Sequence, residues 1–99
     1  MSTLYSITID NNVVRLAGEL SYSTVNDVLR ETDTMFESLS SLDIDLADIT
    51  RGDSAGLALL VHWIRQANTS TKQLVLHNVP AQMLAIAAAS GLDELLPIK

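Results

Sequence analysis

The sequence predicts an α/β domain in which helices pack against one mixed β-sheet. Two segments with alternating apolar residues lie on either side of Asp10-Asn11-Asn12, a pattern typical of an antiparallel hairpin. Three segments with helical spacing follow, and a short apolar segment separates each from the next. The predicted order is therefore ββαβαβα. Because β-α-β crossovers join parallel strands, the sheet should be mixed.

The hairpin and the first helix are predicted within residues 5–39. The two strands are expected at residues 5–9 and 13–20, where apolar side chains recur at every second position. The polar cluster Ser21–Ser23 then precedes a helix, for which Thr24 and Asp27 are expected to form a capping box. The apolar face of that helix should consist of Val25, Val28, Leu29, Thr32, Phe36 and Leu39.

A third strand and a second helix follow in the central part of the chain. Residues 42–46 alternate as a strand, and Gly52 interrupts the pattern before the helix. Asp53 or Ser54 is expected to cap this helix, which should end near residue 67. Its sheet-facing side is predicted to consist of four residues at helical spacing: Leu57, Leu60, Val61 and Ile64.

The last third of the chain is expected to hold one strand and one helix. The uncharged apolar segment Leu74–Leu76 suits a covered, interior strand. A third helix should start at residues 78–80, because Pro80 is tolerated in a first turn, and end at Gly91. Residues 92–98 form a short apolar tail that is expected to pack back on the core.

The composition excludes several classes of function. Six Lys and Arg stand against twelve Asp and Glu, and the net charge of −6 opposes binding to nucleic acid and anionic lipid. The absence of cysteine from the 99 residues excludes disulfides, thiolate catalysis and cysteine-ligated metals. No apolar run approaches the roughly 20 residues of a membrane-spanning helix, so no direct insertion is expected. We predict one cytoplasmic domain over residues 1–99.

The sequence holds no motif for catalysis or cofactor binding. It lacks a glycine-rich phosphate loop, a G-x-S-x-G segment and an H-E-x-x-H segment, so we predict no catalytic residue and no cofactor. The carboxylates that suggest a cation site are Asp43, Asp45, Asp48 and Asp53. Their spacing does not fit an EF-hand, since Ala47 stands where an oxygen ligand is needed. We interpret them as structural or solvated groups rather than a Mg²⁺ site, and predict no metal.

The most informative segment is Asp53-Ser54-Ala55-Gly56-Leu57, where the second helix begins. On residue type alone, Ser54 is either a helix cap or an exposed serine that contacts a partner or accepts phosphate. A phosphate would be stabilised by the helix dipole but repelled by Asp45 and Asp53. Phosphorylation at this position would therefore act as an electrostatic switch.

An almost uncharged helix face continues from Ser54, on the side expected to lie opposite the sheet. We predict that a protein partner docks on this face, with Trp63 as its anchor, because aromatic residues dominate interface energetics. The predicted partner-binding residues are Asp53, Ser54, Ala55, Gly56, Leu59, His62 and Trp63. The alternative is that Trp63 folds down over a neighbouring helix.

These segments resemble the STAS domain family, the fold of anti-sigma-factor antagonists and of the cytoplasmic tails of sulfate transporters. The family's hallmark is a strand ending in Asp-Leu, a loop, and Asp-Ser/Thr-x-Gly-Leu opening a helix, which Asp45-Leu46 and residues 53–57 match. Leu16-Ala17-Gly18-Glu19-Leu20 resembles its second strand, and residues 89–98 resemble its closing helix and tail. Within the family, the chain looks most like small stand-alone subunits of the bacterial lipid-asymmetry ABC transporter.

The resemblance implies a non-catalytic subunit that binds the ATPase subunit of that transporter at the cytoplasmic face of the inner membrane. It would support the assembly and activity of a complex that maintains outer-membrane lipid asymmetry. The family's phosphorylatable position maps onto Ser54. A second interpretation is therefore an anti-sigma-factor antagonist that binds a kinase and is regulated by phosphorylation of Ser54. A small enzyme or ligand binder of unrelated function is a third.

Overall fold

The computed structural model describes residues 4–98, which form one four-stranded sheet and three helices. The strands are β1 (Tyr5–Asp10), β2 (Val13–Leu20), β3 (Ser41–Gly52) and β4 (Gln73–His77). The helices are α1 (Val25–Glu37), α2 (Ser54–Thr69) and α3 (Ala81–Ala89), and a 3-10 turn follows at Asp93–Leu95. The predicted order ββαβαβα is confirmed, although β3 continues past residue 46 to Gly52.

The sheet is mixed, as predicted, with the strand order β1-β2-β3-β4. β1 and β2 are antiparallel, whereas β2–β3 and β3–β4 are parallel. A two-residue turn joins the hairpin, with φ of 52° at Asn11 and 66° at Asn12. A type I′ hairpin turn needs positive φ at both central positions, and asparagine tolerates that conformation. The two asparagines therefore fix the register of β1 on β2.

The core lies on one face of the sheet, between the strands and the helices. Its central side chains come from alternate positions of the inner strands, such as Val14 and Leu16 on β2 and Ile44 and Leu46 on β3. The positions between them face away from the core and carry polar groups, among them Arg15 and Asp45. No helix within residues 4–98, including the longest, α2, has both the length and the apolar character needed to span a bilayer.

The capping box predicted for α1 is wrong. Thr24 is the N-cap residue, but its hydroxyl makes no capping hydrogen bond to the helix. It accepts from the Ser21 N–H at 3.0 Å and donates to the Glu19 carbonyl at 2.9 Å. Asp27 instead binds Arg30 at 2.6 Å. The threonine side chain therefore closes the loop between β2 and α1, and this loop comes to lie beside the start of α2.

β4 lies at an edge of the sheet, not in its interior as predicted. The C-terminal tail covers this edge: the Leu76 N–H donates to the Pro97 carbonyl at 2.8 Å, and Ile98 forms a parallel bridge with Leu76. Leu96 is buried, which confirms that the tail packs on the core. The sequence of β4 therefore resembles that of an interior strand because the C-terminal tail, rather than another strand, covers its outer edge.

α3 begins at Ala81, just after the predicted start, with Pro80 as the residue before its first turn. Gly91 follows the helix with a φ of 72°, as predicted for a terminating glycine. The Leu92 N–H donates to the Ala87 carbonyl at 2.8 Å, which satisfies an otherwise orphaned helix carbonyl. This Schellman motif turns the chain back toward β4.

Candidate partner-binding site

The corner between β3 and α2 is built around the carboxylate of Asp53. One oxygen, Oδ1, accepts from the Ala55 N–H at 3.0 Å and the Gly56 N–H at 3.1 Å, so Asp53 is the helix cap. The other, Oδ2, accepts from the Tyr22 N–H at 3.0 Å, in the loop between β2 and α1. One half-buried side chain therefore joins two neighbouring loops and fixes the direction in which α2 leaves the sheet.

The hydrogen bonds to Asp53 outweigh its burial. Burial by itself raises the pKa of the carboxyl, but the N–H groups of Tyr22, Gly56 and Ala55 all stabilise the charged form. The net effect lowers the pKa of Asp53 below its ordinary value. A lowered pKa in the folded state means that the charged carboxylate contributes stability above its unfolded-state pKa of roughly 4. That contribution is lost as pH falls through the folded-state pKa.

We expect Asp53→Asn to reduce the pH dependence of stability in the acid range. Asparagine can still accept hydrogen bonds at the cap, but it carries no charge that a falling pH could remove. The difference in unfolding free energy between wild type and variant should be constant near neutral pH and shrink below about pH 4. Urea unfolding from pH 7 to pH 3 measures it. Asp48→Asn, at an exposed carboxylate, is the control, and a difference unchanged down to pH 3 would contradict the linkage.

Ser54 is exposed and is the first residue of α2. Since Asp53 takes the capping position, the interpretation of Ser54 as the cap is wrong. Its hydroxyl has no hydrogen-bond partner among residues 4–98, so the serine is not needed to hold the corner together. An exposed hydroxyl at a helix start is sterically open both to a partner protein and to a kinase.

Gly56 holds α2 close to the end of β2. A Cβ at this position would lie 2.1 Å from the Leu20 carbonyl oxygen and 3.0 Å from its carbon. Backbone atoms cannot move aside as a flexible side chain can, so only glycine fits this approach. Gly56 is buried, so it does not offer the exposed partner contact that the sequence suggested, and it brings the start of α2 against β2.

The prediction that Leu59 and Trp63 form an exposed docking face is wrong. Leu59 is only 5% exposed and Trp63 is fully buried, whereas Val61 and Ile64, predicted to be buried, are half-buried. The ring of Trp63 meets Phe36 of α1 edge-on, with centroids 5.5 Å apart. The alternative, that Trp63 folds over a neighbouring helix, is therefore correct, and Trp63 cannot anchor a partner without leaving the core.

Tyr22 is the exposed aromatic residue that the sequence analysis missed. It is 84% exposed, and its backbone N–H is bound by Asp53, directly beside the helix that Ser54 begins. A signal was present in the sequence. Tyr22 stands alone in the polar run Ser21-Tyr22-Ser23-Thr24, outside any periodic apolar pattern, where an aromatic side chain has no core to join.

The remaining predicted residues define an exposed strip along α2. His62 is exposed and Ala55 half-buried, and Ala58 lies between them on the same side of the helix. At 100° per residue, positions 54, 55, 58 and 62 span about 100° of arc. We call these four residues together with Tyr22 the Ser54 surface. Among its members only His62 carries a basic or acidic group, and the exposed Arg65 follows on the same side of α2.

The other carboxylates that suggested a cation site lie on the face of the sheet opposite the helices. Asp43 Oδ1 is 2.9 Å from the ring Nε2 of His77. The Asn78 side chain and the Ala47 N–H donate to Asp45 and lower its pKa. Across the described residues 4–98, no group of three or more His, Asp or Glu side chains is placed to hold a metal ion.

Comparison with known proteins identifies the fold. A family model described as the Mlab STAS domain matches residues 4–97. The chain belongs to the STAS domain family. No curated protein is significantly similar to this STAS domain in sequence.

Solved structures of other STAS-fold proteins superpose on the whole domain. A protein from Thermotoga maritima assigned as an anti-sigma factor antagonist has a TM-score of 0.73 at 18% identity, covering 97% of this chain and 86% of that one. The anti-sigma factor antagonist SpoIIAA, in its unphosphorylated form, has a TM-score of 0.72 at 19% identity, covering 96% and 87%. An antagonist from Mycobacterium paratuberculosis reaches 0.70 at 19% identity, covering 95% and 82%.

The residues of the STAS motif in this chain therefore differ in what they do for the fold. Asp53 caps α2 and binds the neighbouring loop, and Gly56 allows the helix to approach β2. Ser54 is free of both tasks and faces outward. The geometry assigns the structural part of the motif to its first and fourth positions and leaves the side chain at the second position exposed.

Proposed function

We propose that this STAS domain is a non-catalytic subunit that binds a protein partner through the Ser54 surface. The observation that carries the proposal is the exposed hydroxyl of Ser54, which the corner does not use, beside the 84% exposed ring of Tyr22. An exposed aromatic side chain on a rigidly held loop is a typical interface anchor, because it buries much area at little cost in entropy.

The partner we propose is the ATPase subunit of an ABC phospholipid transporter (MlaF-like). The family model that matches residues 4–97 carries the Mlab description, which supports this choice over other STAS partners. Through that ATPase, the protein would reach the cytoplasmic face of the inner membrane and support the assembly and activity of a complex that maintains outer-membrane lipid asymmetry. The uncharged Ser54 surface favours a lasting complex, since the centres of stable interfaces are depleted in charge.

A second candidate is an anti-sigma-factor antagonist that is regulated by phosphorylation of Ser54. The likeness to antagonists, with TM-scores of 0.70–0.73, supports it. A phosphate on Ser54 would stand next to the Asp53 carboxylate, which already accepts from the Ala55 and Gly56 N–H groups. Repulsion between the two anions would weaken the docking of a partner, which is the behaviour of a switch.

Purified candidate partners separate the two functions. Binding of the wild-type protein is measured by biolayer interferometry against the ATPase subunit of a phospholipid ABC transporter and against an anti-sigma-factor kinase. The kinase is also incubated with the protein and radiolabelled ATP, with Ser54→Ala as the control for the site of labelling. Binding to the ATPase without labelling supports the first candidate. Binding to the kinase with labelling that Ser54→Ala abolishes supports the second.

For whichever partner binds, we expect Tyr22→Ala to weaken the complex by about 30-fold or more, the effect of losing an interface hot spot. Ser54→Asp should weaken it more than Ser54→Ala, because docking would bury a second negative charge beside the Asp53 carboxylate. Both positions are exposed, so circular dichroism melts should stay close to wild type.

The control for these variants is Asn68→Ala, at an exposed position near the far end of α2. It should leave the affinity unchanged. Lys72 is unsuitable as a control, because its Nζ donates to the Phe36 carbonyl at 2.7 Å and holds α1. Wild-type affinity in both Tyr22→Ala and Ser54→Asp would exclude the Ser54 surface as the docking site.

A further inference from the structure

The two edges of the sheet differ in whether another segment of the chain covers them. The β4 edge is covered by the C-terminal tail, through the bond from Leu76 to Pro97 and the bridge from Leu76 to Ile98. At the other edge, no strand within residues 4–98 pairs with the outer side of β1. An uncovered edge strand offers a row of backbone donors and acceptors to another chain.

The backbone groups that point outward from β1 follow from its register on β2. The Glu19 N–H donates to the Leu4 carbonyl at 2.8 Å, and hydrogen-bonded pairs alternate along an antiparallel ladder. Residues 6, 8 and 10 therefore exchange hydrogen bonds with β2. The N–H and C=O groups of Tyr5, Ile7 and Ile9 point away from it, which gives three donors and three acceptors at alternate positions.

Apart from Asp10 at its hairpin end, β1 lacks the features with which natural proteins protect an edge. Residues 5–9 contain no charged residue and no proline, and their pairing with β2 has no bulge. Ile9 is 43% exposed and Leu4 is 44% exposed, so apolar side chains accompany the open backbone. This absence of charge stands out in a chain with a net charge of −6.

We propose that the β1 edge pairs with the β1 edge of a second copy of this chain, as an antiparallel, two-fold symmetric extension of the sheet. A register centred on Ile7 uses every outward group, since Ile7 then faces itself and Tyr5 faces Ile9 of the second copy. Ser6 faces Thr8, and Asp10 faces Leu4. No charged residue of β1 meets a like charge in this register. The acidic side chain beside the strand, Glu31 of α1, accepts a hydrogen bond from the Tyr5 hydroxyl of its own copy.

The second copy suits this edge because an antiparallel strand pair is self-complementary under two-fold symmetry. The pairing involves one short strand from each copy, so it buries less area than a standard interface of 1,200–2,000 Å² and gives a weak, concentration-dependent dimer. In each copy β2 lies between β1 and β3, and Ser54 follows β3 in the chain. Pairing through β1 would therefore leave the Ser54 surface of each copy accessible. The dimer would therefore be bivalent toward its partner.

Sedimentation velocity of the full chain from about 10 to 500 μM tests the dimer, a range chosen for a weak interface. The wild type should shift from monomer toward dimer with rising concentration. In the proposed register, residue 6 of each copy faces residue 8 of the other. The double variant Ser6→Lys, Thr8→Lys therefore creates two lysine–lysine pairs across the interface and should weaken association at least tenfold. Ser6→Lys with Thr8→Glu places opposite charges there and should restore the dimer. Both altered positions, Ser6 and Thr8, are exposed, so the fold should persist.

The matched control is Gln73→Lys, an exposed position on the covered β4 edge, which should associate as the wild type does. A wild type that remains monomeric over the whole range would overturn the proposal, and would leave the β1 edge to a strand of another protein or to water. Equal association of the two double variants would overturn the register centred on Ile7.

Discussion

Replacement of Trp63 by alanine is expected to lower the free energy of unfolding by about 3–5 kcal/mol, as for other buried large-to-small changes. Trp63 is fully buried, and its ring packs against Phe36 across the α1–α2 contact. A domain of this size has a total stability of about 5–15 kcal/mol, so the variant should be close to unfolding. Urea unfolding followed by far-ultraviolet circular dichroism measures the change.

Trp63→Phe is the matched variant for this prediction. It keeps an aromatic ring that can meet Phe36, and it removes the indole N–H, which is buried without a hydrogen-bond partner in the described residues. The loss of stability should therefore be well below that of Trp63→Ala. If Trp63→Ala unfolded at the wild-type urea concentration, the placement of the ring in the core would be wrong. If Trp63→Ala is instead destabilised as expected, reduced partner binding by this variant reports a damaged fold and not a lost anchor.

Gly56→Ala is expected to lower stability by about 3 kcal/mol or more, near the upper end of overpacking effects. In an unconstrained helix the same change would be stabilising by about 1 kcal/mol, because alanine is the better helix former. Here the added methyl group would meet the Leu20 carbonyl oxygen at 2.1 Å, so α2 would have to move away from β2. That movement would also stretch the bonds from Asp53 to the helix start.

Ala58→Gly is the control, because Ala58 is exposed two residues further along α2. This reverse substitution should cost about 1 kcal/mol, the difference in helix propensity alone. Urea unfolding of both variants gives the comparison. A stabilised Gly56→Ala protein would mean that the close approach to Leu20 does not exist in solution.

The order of elements, the cap of α2 and the end of α3 could be predicted because they depend on local chemistry, whereas the capping box expected for α1 does not form. The turn at Asn11 and Asn12, the glycine after α3 and the capping by Asp53 are each set by residues within a few positions. The corner that carries Ser54 was therefore located from sequence.

The rotation of α2 could not be predicted, because it depends on neighbours distant in sequence. The apolar residues at 57, 60, 61 and 64 describe one plausible face, but α2 packs against α1 and α3 as well as the sheet. A helix with several packed sides buries a wider arc than a helix lying on a sheet. Leu59 and Trp63 fall within that arc, which removes the anchor that the sequence suggested and leaves Tyr22 in its place.

Residue 54 can change in such domains without loss of the corner between β3 and α2, because other residues hold that corner. Asp at the first position and Gly at the fourth secure the turn from strand to helix, and neither task involves the side chain at the second position. A lineage could therefore exchange residue 54 for a permanent acid, a threonine or an alanine and retain the same scaffold. The backbone of the corner would stay the same whichever residue stands at position 54. The same fold could then serve both phosphorylated switches and unmodified structural subunits.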